Sequence, residues 1–154
     1  MYLPEPIAAT AAITIRLGGI AADDVHVLEL RGREGLNELF DYSVRLCSSE
    51  SNINLAAVLK SPCTIEIAAG EDGTRYIHGI VAGFERLDQR GYYTDYMARI
   101  VPLHWILTKR FCSRIFQDHN CPDMTVAGII RKVLLNGGVP ADMFRFVLLD
   151  PLPG

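Results

Sequence analysis

Two cysteines and a histidine lie close together in the last third of the sequence, at Cys112, His119 and Cys121. Thiolate and imidazole groups are the ligands that zinc prefers, but structural zinc sites bring them in closely spaced pairs. The spacing C-x6-H-x-C fits no common ligand pattern. The sequence therefore predicts no metal at this place, and no cofactor is expected elsewhere.

The same stretch could supply a cysteine nucleophile. Such a nucleophile needs a base within hydrogen-bond reach and a third group that orients the base. His104 and His119 are the bases nearest to Cys112 in the sequence, and no orienting group stands out beside them. A cysteine hydrolase is therefore the least favoured alternative. A buried or incidental thiol is the favoured interpretation of these cysteines.

Aromatic and basic residues are interleaved between Tyr92 and Arg114, with four basic residues and one acidic residue. A small β-barrel could stack bases on Tyr92, Tyr96 and Trp105 and hold phosphates with Arg110. However, the whole chain has a net charge of −3, which gives no overall attraction to nucleic acid. Packing of these aromatic residues in the core is the favoured interpretation, and a single-strand nucleic-acid-binding barrel remains the alternative.

The elements that must position these residues belong to one compact chain of 154 residues, 49% of them hydrophobic. The beginning, MYLPEPIAATAA, has no basic residue before Arg16 and does not match a signal peptide. No run approaches the ~18 apolar residues of a membrane span. Cys47, Cys63, Cys112 and Cys121 form no CxxC pair, so free thiols in a reducing compartment are expected.

Alternating apolar residues predict a chain dominated by strands. Phe40, Tyr42, Val44 and Leu46 show the period of two that is typical of a half-buried strand. Gly79 and Gly83, inside a longer strand, indicate bulges or sharp bends. The predicted strands are 13–17, 25–32, 39–48, 63–69, 74–87, 92–101 and 144–150, with turns at GEDG (70–73) and DQRG (88–91).

Two segments have helical spacing instead. A short helix after Asn52 or Asn54 ends before Pro62, and a longer one carries apolar residues from Val126 to Leu134. Asp123 or Thr125 is the expected N-cap of the longer helix, and Gly137-Gly138 its end. The predicted class is α+β, mostly β: a small antiparallel β-barrel with a short helix and a packed C-terminal helix.

Four segments in this order carry a resemblance: GLNELFDYSVRL (35–46), RYIHGIVAGFE (75–85), YMARIVPLHWILTKRFCSRIFQ (96–117) and MTVAGIIRKVL (124–134). Together they resemble the N-terminal hub region of VgrG-type spike proteins of type VI secretion and the related phage tail baseplate hub proteins. One departure is Asn37, where serine is commoner in the family. The positions that carry the motif are Phe40, Gly79, Phe84, Pro102, Trp105, Thr108, Arg110, Arg114, Phe116 and Gln117.

The resemblance implies a structural part of a contractile injection machine. It also implies no catalytic residue in this region, so the chain is expected not to be an enzyme. Proteins of this kind form homotrimers in the full-length chain and sit on a hexameric Hcp-like tube, with effector or adaptor proteins as further partners. Neither nucleic acid nor stable membrane insertion is implied. They are assembled in the bacterial cytoplasm and then exported to the outside or into a target cell. A phage tail hub is the nearest alternative.

The resemblance and the patterning together divide the chain into three parts. Residues 1–12 are expected to form a flexible tail, and residues 13–101 a β-barrel hub domain. Residues 102–154 are expected to form a turn, a helix and a strand that lead into a downstream hub region. Within this third part, Trp105 is expected to be a mostly buried packing anchor.

Overall fold

A computed structural model describes residues 12–68 and 73–147 of the chain. The chain forms two compact units, Met1–Pro102 and Leu103–Gly154. The predicted tail before Ala12, most of the GEDG turn and the end of the last predicted strand lie outside the described residues.

The first unit is built on one antiparallel sheet of six strands, in the order β1-β4-β5-β6-β3-β2. Every described strand pair is antiparallel, and the six predicted strands of this unit are confirmed. Their bounds are β1 (Ala12–Leu17), β2 (Val25–Arg33), β3 (Asp41–Ser48), β4 (Pro62–Ala68), β5 (Thr74–Arg90) and β6 (Tyr93–Val101).

The core lies on one face of this sheet, as the period of two predicts. Along β3, the side chains of Tyr42, Val44 and Leu46 are buried, whereas the residues between them are partly exposed or fully exposed. The face is completed by buried residues from the other strands and from one short helix, namely Ile15, Leu17, Val25, Val58, Cys63, Ile65, Ile77, Val81, Phe84, Tyr96, Ala98 and Ile100.

The turn between β5 and β6 lies later than predicted. β5 continues through the DQR residues to Arg90, and Gln89 and Arg90 pair with Thr94 and Tyr93 of β6. The chain reverses at Gly91, which has φ of 60°. The DQRG pattern predicts the turn too early because polar side chains also occur on exposed strands, and the residue that adopts positive φ is the last of the four.

The sheet curls into a half-barrel. β1 and β2 are its two edge strands, and in the described part of the chain neither pairs with the other. The predicted antiparallel, mostly β class is confirmed in this coarser form, but closure into a barrel is not. Among the described residues, the six-residue strand β1 pairs with β4.

Two α-helices are present among the described residues. Helix α1 (Leu55–Val58) begins after Asn54, whose side-chain oxygen accepts a hydrogen bond from the Ala57 N–H at 3.2 Å. Helix α2 (Val126–Gly137) begins after Thr125, whose hydroxyl accepts from the Gly128 N–H at 3.1 Å. Of the alternative N-caps, the structure therefore selects Asn54 and Thr125. Neither helix is long and apolar enough to cross a membrane.

The second unit differs from the sequence prediction in two ways. Leu103–Lys109 forms a 3-10 helix that was not predicted. Residues 144–147 of the predicted last strand are not in a strand. The rings of Phe144 and Phe146 instead pack edge to face, 5.9 Å apart, and both contact Arg131, with ring centroids 5.8 and 5.4 Å from its guanidinium carbon. Apolar residues do alternate in this segment, as in a strand, but no described strand pairs with it.

Helix α2 is not confirmed as a packed helix. Its apolar stripe includes Val126, Ile130 and Val133, and all three side chains are exposed. Ile129 and Leu134, which border this stripe, are half-buried. The helical period was predicted correctly, but the described residues do not cover the whole apolar face.

Candidate functional site

The motif segment, Leu103–Gln117, begins with a turn that holds itself together. The Thr108 hydroxyl donates a hydrogen bond to the carbonyl oxygen of Trp105 at 2.8 Å. The Lys109 ammonium lies 4.4 Å from the centre of the Trp105 ring, a distance at which a cation is attracted to the ring face. Trp105 is half-buried rather than mostly buried as expected, and the Lys109 that lies over its ring is itself exposed.

Arg110 caps the end of α2. The last carbonyl groups of a helix have no partner within the helix. The Gly138 N–H bonds to the Leu135 carbonyl and the Val139 N–H to that of Leu134, each at 3.0 Å. The Asn136 carbonyl accepts from the Arg110 guanidinium. A positive charge at this end also complements the helix dipole.

The motif segment packs on this helix end because Gly137 has no side chain. A Cβ atom at Gly137 would lie 2.0 Å from Cδ2 of Leu107. The next residue, Gly138, has φ of 92°, a left-handed conformation that favours glycine. The Gly137-Gly138 pair therefore does two things: it ends the helix, as predicted, and it leaves room for Leu107.

A compact loop follows the motif segment and is held by Asn120. The Asn120 side chain accepts a hydrogen bond from the Gln117 N–H at 3.1 Å and donates to the Ile115 carbonyl at 3.0 Å. The Gln117 carbonyl in turn accepts from the N–H groups of Asn120 and Cys121 at 2.9 and 2.8 Å. Gln117 thus contributes its backbone to the loop, and its side chain is exposed.

Arg114 and Phe116 line a groove between the motif segment and α2. Arg114 is exposed and Phe116 is half-buried. The groove has a volume of about 360 Å³, and Leu107 and Val133 form further parts of its wall. Within the second unit, the structure therefore brings Trp105 and Thr108 together, places Arg110 on α2, and leaves Arg114 open to solvent.

The remaining motif positions lie in the first unit. Phe84 is buried and stacks on Tyr96, with ring centroids 5.3 Å apart. Phe40 is half-buried and packs at 5.7 Å from the ring of Tyr42. Gly79 is a point of close approach, and Pro102 is buried. The predicted bulge occurs four residues after Gly79, where the β5–β6 register shifts between Val81 and Gly83.

Two arginines enclose a buried carboxylate near the β5–β6 turn. The Asp95 side chain is 2% exposed and accepts hydrogen bonds from Arg45 at 2.7 Å and from Arg90. The Arg90 hydrogen bond lowers the pKa of the Asp95 carboxyl, with Arg45 acting in the same direction and burial in the opposite one. These contacts tie β3, β5 and β6 together.

A second charged cluster spans strands that are not neighbours in the sheet. Arg75 at the start of β5 bonds to the carboxylate of Glu34, which follows β2. Burial, and then the hydrogen bond to Glu34, raise the pKa of Tyr42 to about 12. Since β2 is an edge strand and β5 lies within the sheet, this cluster marks the curl of the half-barrel.

The cysteines and histidines that were candidates for chemistry do not form a reactive site in the described parts of the chain. All four cysteines are free, and burial raises the pKa of Cys63 to about 12. The buried thiol of Cys121 donates to the Asp123 carbonyl at 3.1 Å. In the described parts of the chain, no group of three or more histidine, cysteine or acidic side chains could hold a metal.

The structure also removes a key residue of the nucleic-acid hypothesis. Tyr96 is 1% exposed, and its hydroxyl donates to the Glu50 carbonyl at 2.9 Å. It cannot offer a ring face to a base. Arg110 is engaged with α2, and Lys109 covers Trp105. Tyr92 is the proposed stacking residue that is freely exposed.

Sequence reasoning missed the groups that the motif side chains contact. Periodic apolar residues identify strands and helices, but they do not identify polar groups such as the Asn136 carbonyl or the Asn120 side chain. For Asn120 a weak signal was present, because asparagine often bonds to nearby backbone in turns. For Asn136 the available signal was general. Every helix end has carbonyl groups without a partner, and an arginine can bond to one of them.

Comparison with known proteins identifies the family to which this chain is similar. The profile described as phage tail baseplate hub (GPD) matches residues 33–147. The type VI secretion spike protein VgrG1a of Pseudomonas aeruginosa is 34% identical over 116 residues, which are 75% of this chain and 17% of that protein. The spike protein VgrG5 of the same organism is 32% identical over 130 residues, 84% of this chain and 15% of that protein.

A more distant relative and a solved structure agree. The actin cross-linking toxin VgrG1 of Vibrio cholerae is 27% identical over 125 residues, 75% of this chain and 11% of that protein. The solved structure is the E. coli c3393 protein, described as a type VI secretion component similar to the T4 bacteriophage tail proteins gp27 and gp5. It superposes with a TM-score of 0.65 at 28% identity, over 78% of this chain and 31% of that chain.

The chain thus spans less than a fifth of the length of the curated relatives that it matches. Within that span, the family match covers both the curled sheet from the end of β2 onward and the motif segment with α2. The chain belongs to the phage tail baseplate hub family, and its homologues include the VgrG spike proteins of type VI secretion.

Proposed function

We propose that this chain is a non-enzymatic, structural part of a type VI spike hub, which sits as a trimer on a hexameric Hcp-like tube. The observation that carries the proposal is the family match over residues 33–147. The relatives named as spike proteins of type VI secretion support the same assignment.

The contacts of the motif residues support a structural role. Arg110 caps a helix, Thr108 fixes a turn and Phe84 stacks in the core. Gly79 and Gly137 permit backbone and side chains to approach closely. Each of these roles stabilises a shape, and none needs a reacting group. The motif is therefore explained by architecture.

The proposal includes the division of the chain and the closure of the sheet. Residues 13–101 form the hub domain, and residues 102–154 lead into a further hub region of a longer protein. The unpaired edges of β1 and β2 support closure by added strands, because an open sheet edge carries free N–H and C=O groups. The exposed side chains of Val126 and Ile130 support the packing of α2 against other parts of the assembled hub.

The partners and the location follow from the same role. The tube protein is the principal partner, with effector or adaptor proteins carried at the spike. The protein is assembled in the bacterial cytoplasm and is then driven outward with the tube. Neither nucleic acid nor stable insertion into a membrane belongs to this proposal.

A phage tail hub is the second candidate, and the description of the matching family favours it directly. The mechanical job would be the same, with a virion in place of a secretion machine. Neighbouring genes distinguish the two: genes for a secretion sheath and its membrane complex support the first, and capsid and tail-fibre genes support the second.

Cosedimentation with the tube protein tests the proposal. The natural protein that contains this chain is mixed with the Hcp-like tube protein of the same genome, and tubes are pelleted and imaged. We expect the protein to pellet with the tubes, at one end, with the mass of a trimer in solution. A monomer that stays in the supernatant would contradict both the trimer and the tube contact.

A further inference from the structure

The groove beside Arg114 has a mixed apolar and basic lining. Leu107, Phe116 and Val133 contribute apolar atoms, and Arg110 and Arg114 contribute guanidinium groups. A second depression adjoins it, shares Arg114 and Phe116, and is also lined by Lys132. Among the described residues that line the two depressions, none is acidic. Three cations without a facing carboxylate give this surface a local positive charge, although the chain has a net charge of −3.

The motif segment follows the groove as an extended strand would. Arg110, Cys112, Arg114 and Phe116 line it at every second position, which is the period of an extended chain. Phe111, between two of these residues, is fully exposed. The groove therefore runs along the chain for several residues and suits an extended segment better than a compact ligand.

The backbone of this segment has free hydrogen-bonding groups. Within the described part of the chain, the Ile115 carbonyl is the one backbone group from Phe111 to Phe116 that has a partner, the side chain of Asn120. Unpaired N–H and C=O groups in a row are a template for the addition of a strand. A partner segment could bond to this backbone while its side chains enter the groove.

We propose that this groove binds an extended, acidic segment of a partner protein, added as a strand along Phe111–Phe116. Opposite charges that face one another across two strands are stabilising, and like charges are destabilising. The partner strand therefore carries carboxylates opposite the arginines and large apolar side chains between them. On one face it alternates acidic and apolar residues at every second position.

The volume of about 360 Å³ fits this occupant. Sites for small molecules span ~300–1,000 Å³, so the groove receives a few side chains rather than a folded domain. Arg114 is the main recognition residue, because its guanidinium is exposed, whereas Arg110 is already bonded to α2. Lys132 adds charge from the helix.

Binding of a designed peptide to the natural protein that contains this chain tests the proposal. The probe is fluorescein-labelled Glu-Thr-Leu-Thr-Glu-Thr-Leu with blocked ends, followed by fluorescence anisotropy at low and high salt. The matched peptide has glutamine in place of both glutamates. We expect saturable binding of the acidic peptide that weakens with salt and is at least ~10-fold tighter than that of the glutamine peptide, since charged hydrogen bonds are the stronger ones.

Two variants with the same substitution locate the site. Arg114→Gln should weaken binding of the acidic peptide about 10-fold. Arg145→Gln changes an exposed arginine that does not line either depression, and it should leave binding within about twofold. Circular dichroism checks that each variant is folded. If Arg114→Gln is not folded, Lys132→Gln takes its place in the comparison.

Three outcomes would overturn the proposal. The acidic peptide could fail to bind saturably, or the glutamine peptide could bind equally well. The two arginine variants could also lose affinity equally, which would indicate unspecific charge attraction. Direct binding of a fluorescein-labelled 12-nucleotide oligothymidylate that depends on Arg114, with no binding of the acidic peptide, would assign the surface to nucleic acid instead.

Discussion

Gly79 of β5 faces the backbone carbonyl of Val101 so closely that a Cβ atom at Gly79 would lie 2.5 Å from the carbonyl oxygen. The obstacle is backbone at the end of β6, which cannot turn aside as a side chain could. Four residues later, a Cβ atom at Gly83 would meet Cβ of Arg99 at 3.6 Å, an ordinary contact. Two glycines of one strand therefore have different reasons to be present.

Replacing Gly79 by alanine is expected to destabilise the first unit by ~1–3 kcal/mol, because the added methyl group forces β5 away from β6. Gly83→Ala is the control and should change the free energy of unfolding little. Urea denaturation of both variants measures the difference. Equal stability of the two variants would show that the close approach at Val101 relaxes without cost.

Removing the cap at the end of α2 should loosen that end of the helix. Arg110→Gln takes away the charge near the Asn136 carbonyl and is expected to cost ~0.3–1 kcal/mol. Thr125→Ala, which removes the N-cap, is expected to cost ~0.5–2 kcal/mol.

Amide hydrogen exchange distinguishes the two ends of α2. Arg110→Gln should speed exchange in the last turn, near Gly138, and Thr125→Ala in the first turn, near Gly128. If Arg110→Gln left the last turn as well protected as in the parent protein, its contact with the helix end would have no stabilising role.

Asp95 should make stability depend on pH in the acid range. Its pKa is lowered in the folded state, chiefly by the hydrogen bond from Arg90, and an unperturbed aspartate titrates near ~3.9. The stabilisation is therefore fully present above that pH and is lost as the pH falls through the folded-state pKa. Asp95→Asn should lower stability at pH 7 and approach the parent protein near pH 3.

Urea denaturation at pH 7, 5 and 3 checks this expectation. Asp23→Asn, at an exposed aspartate, is the control and should follow the parent protein at every pH. A difference between Asp95→Asn and the parent protein that stays constant down to pH 3 would contradict the account of the buried carboxylate.

The four cysteines should react with a thiol reagent at very different rates. Cys112 is exposed, whereas Cys63 and Cys121 are buried and burial raises the pKa of Cys63 to about 12. Since the thiolate is the reactive form, one fast thiol is expected at pH 8, and Cys112→Ser should abolish it. Rapid reaction of Cys63 in the folded protein would show that the core opens.

The sheet could be predicted because its signals are local. Alternation along β3 and the turn residues of the hairpins predicted every strand of the first unit. Closure of the barrel could not be predicted from such signals, because it depends on whether the edges of β1 and β2 find partners. The sequence of each edge strand is the same whether the barrel is open or closed.

The site was harder to predict than the fold. The resemblance selected Arg110 and Thr108, but their partners are backbone carbonyls, and any residue can supply a carbonyl. The departure at Asn37 has a physical explanation that the structure supplies. Asn37 has φ of 62°, a left-handed conformation in which asparagine is favoured over most residues other than glycine.

Export of the tube protein tests the central claim most directly. In the bacterium that encodes this chain, its gene is deleted in a strain without other genes of the same hub family. The amount of Hcp-like tube protein in the medium is then measured. A structural hub predicts that export is lost on deletion and restored by the natural gene, including its Cys112→Ser variant. Undiminished export of the tube protein after deletion would contradict the assignment of this chain to a type VI spike hub.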